Sequence, residues 1–119
     1  MAASPAVVLT IAGFDPLSGA GITADIKTIA AHECYGVCCI TALTVQSTEG
    51  VRRVVGVDPS LISETLQELV SDVVVEAVHI GMLGNSGVVR RSPIFCRRPL
   101  WARLRQGGPV CRMWCWIRF

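Results

Sequence analysis

Acidic residues are missing from the last third of this 119-residue sequence: all nine Asp and Glu lie at or before Glu76, whereas eight of the eleven Lys and Arg lie at or after Arg90. Lys, Asn and Thr are also absent between Arg90 and Phe119, where Arg, Pro, Cys and all three tryptophans collect. No helical or alternating period runs through that stretch, and Pro93, Pro99 and Pro109 exclude one long amphipathic helix. Residues 90–119 read as an anomalous tail, translated out of the original frame and poorly ordered. The other two reading frames of the nucleotide sequence test this, and the reading fails if neither restores a continuation of the preceding pattern. Arginines interleaved with tryptophans could also contact phosphates and stack on bases. Because these arginines are scattered rather than gathered on one face, a nucleic-acid partner is not expected.

Other absences narrow the class. No CxxC pair occurs, which removes the usual zinc-site spacing, and no metal site is expected. Residues 1 to 12 have neither a basic start nor a cleavage site, and the apolar run Val7 to Ala12 is far too short to cross a bilayer. A cytoplasmic location without a membrane partner is the expectation. Cys34, Cys38 and Cys39 then read as buried thiols in a reducing compartment rather than disulfide partners. With 51% hydrophobic and 17% charged residues the chain is too apolar for disorder, and its length allows at most one ordinary domain.

The stretch from Val7 to Lys27, VVLTIAGFDPLSGAGITADIK, carries the clearest organisation. Val7 to Ala12 reads as a strand buried on both faces. Gly13, Asp15-Pro16 and Ser18-Gly19-Ala20-Gly21 form a loop of turn residues. From Ile22 a helical period begins, with Ile22, Ile26 and Ile29 on one stripe through His32. A small-residue loop at a helix N-terminus exposes backbone N–H groups and suits a polar or anionic ligand. Val37 to Val45 reads as a second buried strand that delivers Gln46 to the same rim, since ligands of parallel sheets sit at the carboxyl ends of strands. Val51 to Val57 is a short edge strand or flap. Asp58-Pro59 marks the N-cap and first residue of a helix running through Ser71. Ala77 to Gly81 is a third parallel strand ending at Met82, with His79 expected as a packed core residue.

Three blocks within this frame resemble one family. Gly13-Phe14-Asp15-Pro16-Leu17-Ser18-Gly19-Ala20-Gly21-Ile22-Thr23-Ala24-Asp25, Ile40-Thr41-Ala42-Leu43-Thr44-Val45-Gln46-Ser47-Thr48 and Ile80-Gly81-Met82-Leu83 are similar to motifs of the hydroxymethylpyrimidine/phosphomethylpyrimidine kinases of thiamin biosynthesis, in the ribokinase-like superfamily. The resemblance covers residues 1–89. It implies an α/β, three-layer ribokinase-like fold: here a partial parallel sheet with flanking helices, truncated, and followed by the tail 90–119. It further implies ATP-dependent phosphorylation of 4-amino-5-hydroxymethyl-2-methylpyrimidine and its monophosphate, with Mg²⁺ as cofactor and a homodimer as a family trait. Gln46, Asp25, Met82, Gly21, Ala20 and Thr44 are the substrate-binding residues it points to, with Gln46 on the pyrimidine ring and Met82 packed against it. The family's anion hole and base lie in a G-T-G-C-like motif that these 119 residues do not contain, nor do they contain the ATP-site segments. The chain alone is expected to be inactive, and no catalytic residue is assigned. Phe14, Leu17 and Ser18 depart from the family loop and bear on affinity. A non-catalytic pyrimidine-binding module is the alternative reading.

Overall fold

The computed structural model describes residues 4–84, 86–91 and 114–115; for 89–91 and 114–115 only the backbone is considered. The out-of-frame reading of the tail falls almost entirely outside these residues. In order, the elements are β1 (Val7–Phe14), α1 (Gly21–Ala31), β2 (Tyr35–Ser47), β3 (Gly50–Gly56), α2 (Pro59–Asp72), β4 (Ala77–Ile80), α3 (Ser86–Arg91) and β5 (Trp114–Cys115). The sheet has the order β3-β2-β1-β4-β5, so the first strand lies in the centre. β1 runs parallel to both neighbours, β2 and β4, and β4 is parallel to β5. β3 is antiparallel to β2. The sheet is therefore mixed, with the expected parallel part at its centre.

Side-chain alternation on β1 separates two layers. Leu9 pairs with Val37 and Val78, and Ile11 pairs with Cys39 and Ile80, so these residues form rows across one face. α2 covers that face with Ile62 and Leu66, and Val75 and Val88 complete the buried cluster. Thr10 and its register partners Cys38 and His79 occupy the opposite face, where Thr10 meets Asp25 of α1. Crossovers from β1 in opposite directions place the two helices on opposite sides, which gives three layers. α1 approaches β2 closely at Gly36, where a Cβ would come within 2.6 Å of Ile26 Cδ1.

Local chemistry sets the element ends. α2 begins where Asp58 Oδ1 accepts the Ser60 N–H at 2.8 Å, with Pro59 in the first turn. α1 ends with Glu33 in a left-handed conformation (φ 58°), and the Cys34 N–H donates to Ile29 O at 3.2 Å. β1 continues two residues past the expected Ala12. A register shift between Ala12 and Phe14 lets Phe14 pair with Leu43. β2 likewise runs on to Ser47, because its second half pairs with β3 in a hairpin turning at Thr48-Glu49. Of the three cysteines expected to be buried, Cys39 is; Cys34 and Cys38 are only half-buried, Cys34 in the turn before β2 and Cys38 on the α1 face of the sheet.

Candidate functional site

The loop between β1 and α1 is folded around one carboxylate. Asp15 is buried and its Oδ1 accepts the Leu17 N–H at 2.9 Å, while Oδ2 accepts those of Gly19 and Ala20 at 3.1 Å each. Its carbonyl oxygen takes the Ser18 N–H at 3.0 Å and the Thr23 hydroxyl at 3.1 Å. Lys27 Nζ reaches back to Ser18 O at 2.9 Å. Sequence reasoning expected this loop to expose backbone N–H groups to a polar or anionic ligand. Instead, three of those N–H groups are used by Asp15, an internal anion, and the loop serves as a shaped wall. Gly21 closes it in a left-handed conformation (φ 60°), where a Cβ would strike the Gly13 backbone.

Beside this wall lies a cavity of about 440 Å³ at the carboxyl ends of the strands. All six residues expected to bind substrate line it: Ala20 and Gly21 from the loop, Asp25 from α1, Thr44 and Gln46 from β2, and Met82 after β4; of the loop departures Phe14 lines it too, whereas Leu17 and Ser18 do not. Val51 and Val54 of β3 add an apolar side, because Thr44 pairs with Val54 and Gln46 with Val51, with side chains on one face. Sequence reasoning left β3 as an edge strand or flap and did not bring it to the site. Thr44 Oγ1 lies 2.8 Å from Phe14 O and 3.3 Å from the Gln46 amide oxygen. One hydroxyl proton cannot serve both acceptors, and the shorter contact takes it. Turning the amide so that its NH₂ donates to Thr44 satisfies the second contact. Gln46 then keeps its carbonyl and one N–H for a ligand. Met82 lies across Gly13, where a Cβ would be 2.5 Å from its terminal methyl, and Met82 O accepts the Thr41 hydroxyl at 2.5 Å. Met82 as a whole is 41% exposed and lines the cavity.

A family model described as phosphomethylpyrimidine kinase matches residues 15–93. This chain belongs to the phosphomethylpyrimidine kinase family. It is 46% identical over 81 residues to the hydroxymethylpyrimidine/phosphomethylpyrimidine kinase of Escherichia coli, a match covering 68% of this chain and 30% of that one. The phosphomethylpyrimidine kinase structure from Clostridium difficile superposes with a TM-score of 0.70 at 38% identity, over 72% of this chain and 37% of that one. The pyridoxal kinase of Staphylococcus aureus in complex with AMP-PCP gives 0.66 at 30% identity, over 75% and 33%. The same enzyme in complex with pyridoxal gives 0.67. The fold is thus ribokinase-like, and the chain spans about a third of the length of these relatives.

Within this phosphomethylpyrimidine kinase frame, Asp25 and His79 meet across the α1 face of the sheet. Asp25 lies past the first turn of α1, which begins at Gly21. Its Oδ2 accepts the Thr10 hydroxyl at 2.6 Å. His79, expected in the core, has a side chain 39% exposed and lines the cavity, because α1 packs chiefly on β1 and β2 and meets His79 of β4 at Asp25 without covering it. Period-2 pairing of Thr10 with His79 was the signal that could have placed it. Among the described residues no group of three or more His, Cys, Asp or Glu is arranged to hold a metal ion. Asp15 is committed to N–H donors and Asp25 accepts from Thr10, an arrangement that does not fit a Mg²⁺ site. No described helix is long and apolar enough to cross a membrane.

Proposed function

We propose that this chain supplies the pyrimidine-binding part of a hydroxymethylpyrimidine/phosphomethylpyrimidine kinase, acting on 4-amino-5-hydroxymethyl-2-methylpyrimidine and its monophosphate in thiamin biosynthesis. The observation that carries the reading is the convergence of Gln46, Thr44, Asp25, Met82, Ala20 and Gly21 on one cavity. Gln46 meets the ring edge: its carbonyl accepts from the exocyclic amine and its remaining N–H donates to the neighbouring ring nitrogen. The Met82 thioether packs on the ring face, and Val51 and Val54 close the hairpin side. Ala20 and Gly21 let the ring approach backbone without a side chain between. ATP supplies the transferred phosphoryl group in such a kinase, and Mg²⁺ accompanies it. Residues 1–89 are the working part of this assignment, in a cytoplasmic enzyme that forms a homodimer.

Calorimetric titration of the 119-residue chain with hydroxymethylpyrimidine, beside a Gln46→Ala variant, tests it. Loss of the amide pair removes two neutral hydrogen bonds of about 1 kcal/mol each, so affinity falls by roughly tenfold or more. Pyridoxal is the comparison ligand. A folded chain that binds pyridoxal and no pyrimidine overturns the substrate assignment, and equal binding by the Gln46→Ala variant overturns the role of the amide. Bound pyrimidine is not expected to be phosphorylated when ATP is added to this chain alone; turnover would contradict that expectation.

A further inference from the structure

Three polar side chains meet on the α1 face of the sheet. Thr10 of β1 and His79 of β4 are register partners, and Asp25 of α1 lies over them. Thr10 Oγ1 donates to Asp25 Oδ2 at 2.6 Å. His79 Nδ1 sits 3.2 Å from Thr10 Oγ1 and 3.3 Å from Asp25 Oδ2. A hydroxyl has one proton, and the short contact commits it to the carboxylate. Both oxygens facing Nδ1 are then acceptors. An unprotonated Nδ1 would put a third lone pair against two others, whereas an Nδ1–H donates to them. The neutral imidazole is therefore the Nδ1-protonated tautomer, and its other nitrogen, Nε2, is left as an acceptor.

We propose that His79 determines ligand specificity: Thr10 and Asp25 hold its ring so that Nε2 is an acceptor at the cavity, selecting ligands that carry a hydroxyl donor. The inference rests on the pyrimidine reading given above. Sheet order supports its placement, since β2 with Gln46 and β4 with His79 flank β1 on opposite sides. A small heteroaromatic ring held at its amine edge by Gln46 presents a hydroxymethyl arm toward the β4 side. Thr10 is fully buried and Asp25 mostly so, which fixes the ring from behind, while His79 itself remains open to a ligand. A site that pairs with a ligand hydroxyl rejects the analogue lacking it, because its own polar atom is left unpaired.

Two measurements on the 119-residue chain decide the matter. Long-range proton–nitrogen spectra of the histidine rings report the tautomer directly; Nδ1–H on His79 is expected, and Nε2–H overturns the proposal. Calorimetry with hydroxymethylpyrimidine and with its 5-methyl analogue reads the selection. The hydroxyl compound is expected to bind about tenfold more tightly, the size of one well-made hydrogen bond. In His79→Phe that advantage disappears while the analogue still binds, and His79→Gln, which restores an acceptor, recovers part of it. Equal affinities in the unaltered chain, or an advantage that persists in His79→Phe, refute the assignment. Failure of both pyrimidines to bind counts against the substrate reading instead, and the nitrogen spectrum then decides the state of His79 alone.

Discussion

Replacing Asp15 should undo the loop that walls the cavity, and Asn should be no better than Ala. Asp15 is only 5% exposed and its carboxylate accepts three backbone N–H groups, two of them on Oδ2. Hydrogen bonds to a charged group contribute about 1.5–3 kcal/mol each. Leu17, Gly19 and Ala20 are themselves exposed, so water can replace part of what is lost. About 1 kcal/mol per bond is then a fair figure, or about 3 kcal/mol for Asp15→Ala. In Asp15→Asn one oxygen can still serve Leu17, but an NH₂ replaces the acceptor of Gly19 and Ala20 and sets donor against donor. The loss should approach that of Ala despite the near-identical shape. Amide hydrogen exchange checks this locally: protection at Leu17, Gly19 and Ala20 should collapse in both variants. Urea unfolding checks it globally, with a midpoint lowered by on the order of 1 M for a domain of this size. Unchanged protection in Asp15→Asn would refute the claim that the carboxylate organises the loop.

Gly21→Ala should cost about 1–3 kcal/mol in urea unfolding, because the left-handed φ and the Gly13 backbone both oppose a side chain; Gly19→Ala, whose nearest neighbour would be Asp15 Oδ2 at 3.5 Å, should stay within about 0.5 kcal/mol. Equal effects at the two glycines would contradict this account. Leu66→Ala empties a fully buried site between α2 and the sheet and should lower stability by about 2–5 kcal/mol, read as a drop in Tm. The Cys39 thiol is raised from 9.0 to about 11, first by burial and then by the neighbouring Cys38. Because the folded value lies above the unfolded one, its contribution to stability is complete below pH 9 and is lost as pH rises towards 11. Alkylation at neutral pH should accordingly leave Cys39 intact until the chain is unfolded, and rapid labelling of the native chain would count against its burial.

The centre of the fold was legible because it is locally consistent. Val7 to Ala12 has apolar residues on both faces, and Asp58-Pro59 caps α2 with a hydrogen bond that the dipeptide alone suggests. The six residues that family motifs pointed to were legible in the sequence, while their convergence on one cavity required the register of three strands. β3 was harder, since its fate depends on a partner: Val51 and Val54 look like ordinary edge residues until pairing with Gln46 and Thr44 turns them to the cavity. His79 was misread because a strand pattern does not say how far the covering helix extends. The loop was misread for a related reason. Free N–H groups follow from glycine-rich turns in general, but here Asp15 sits within the same turn and reaches them first.

The central position of β1 has a consequence for synthesis. β1 is made before both of its sheet neighbours, and it gains the second of them only when β4 emerges, almost 70 residues on. Until then it has a partner on one side only, and the nascent chain carries an apolar strand with an unpaired edge. Once residue 82 is available, the described cavity lining, which runs from Ala12 to Met82, is complete. The described lining is thus specified by residues 12 to 82, and it can assemble on the ribosome while the residues after it are still being translated.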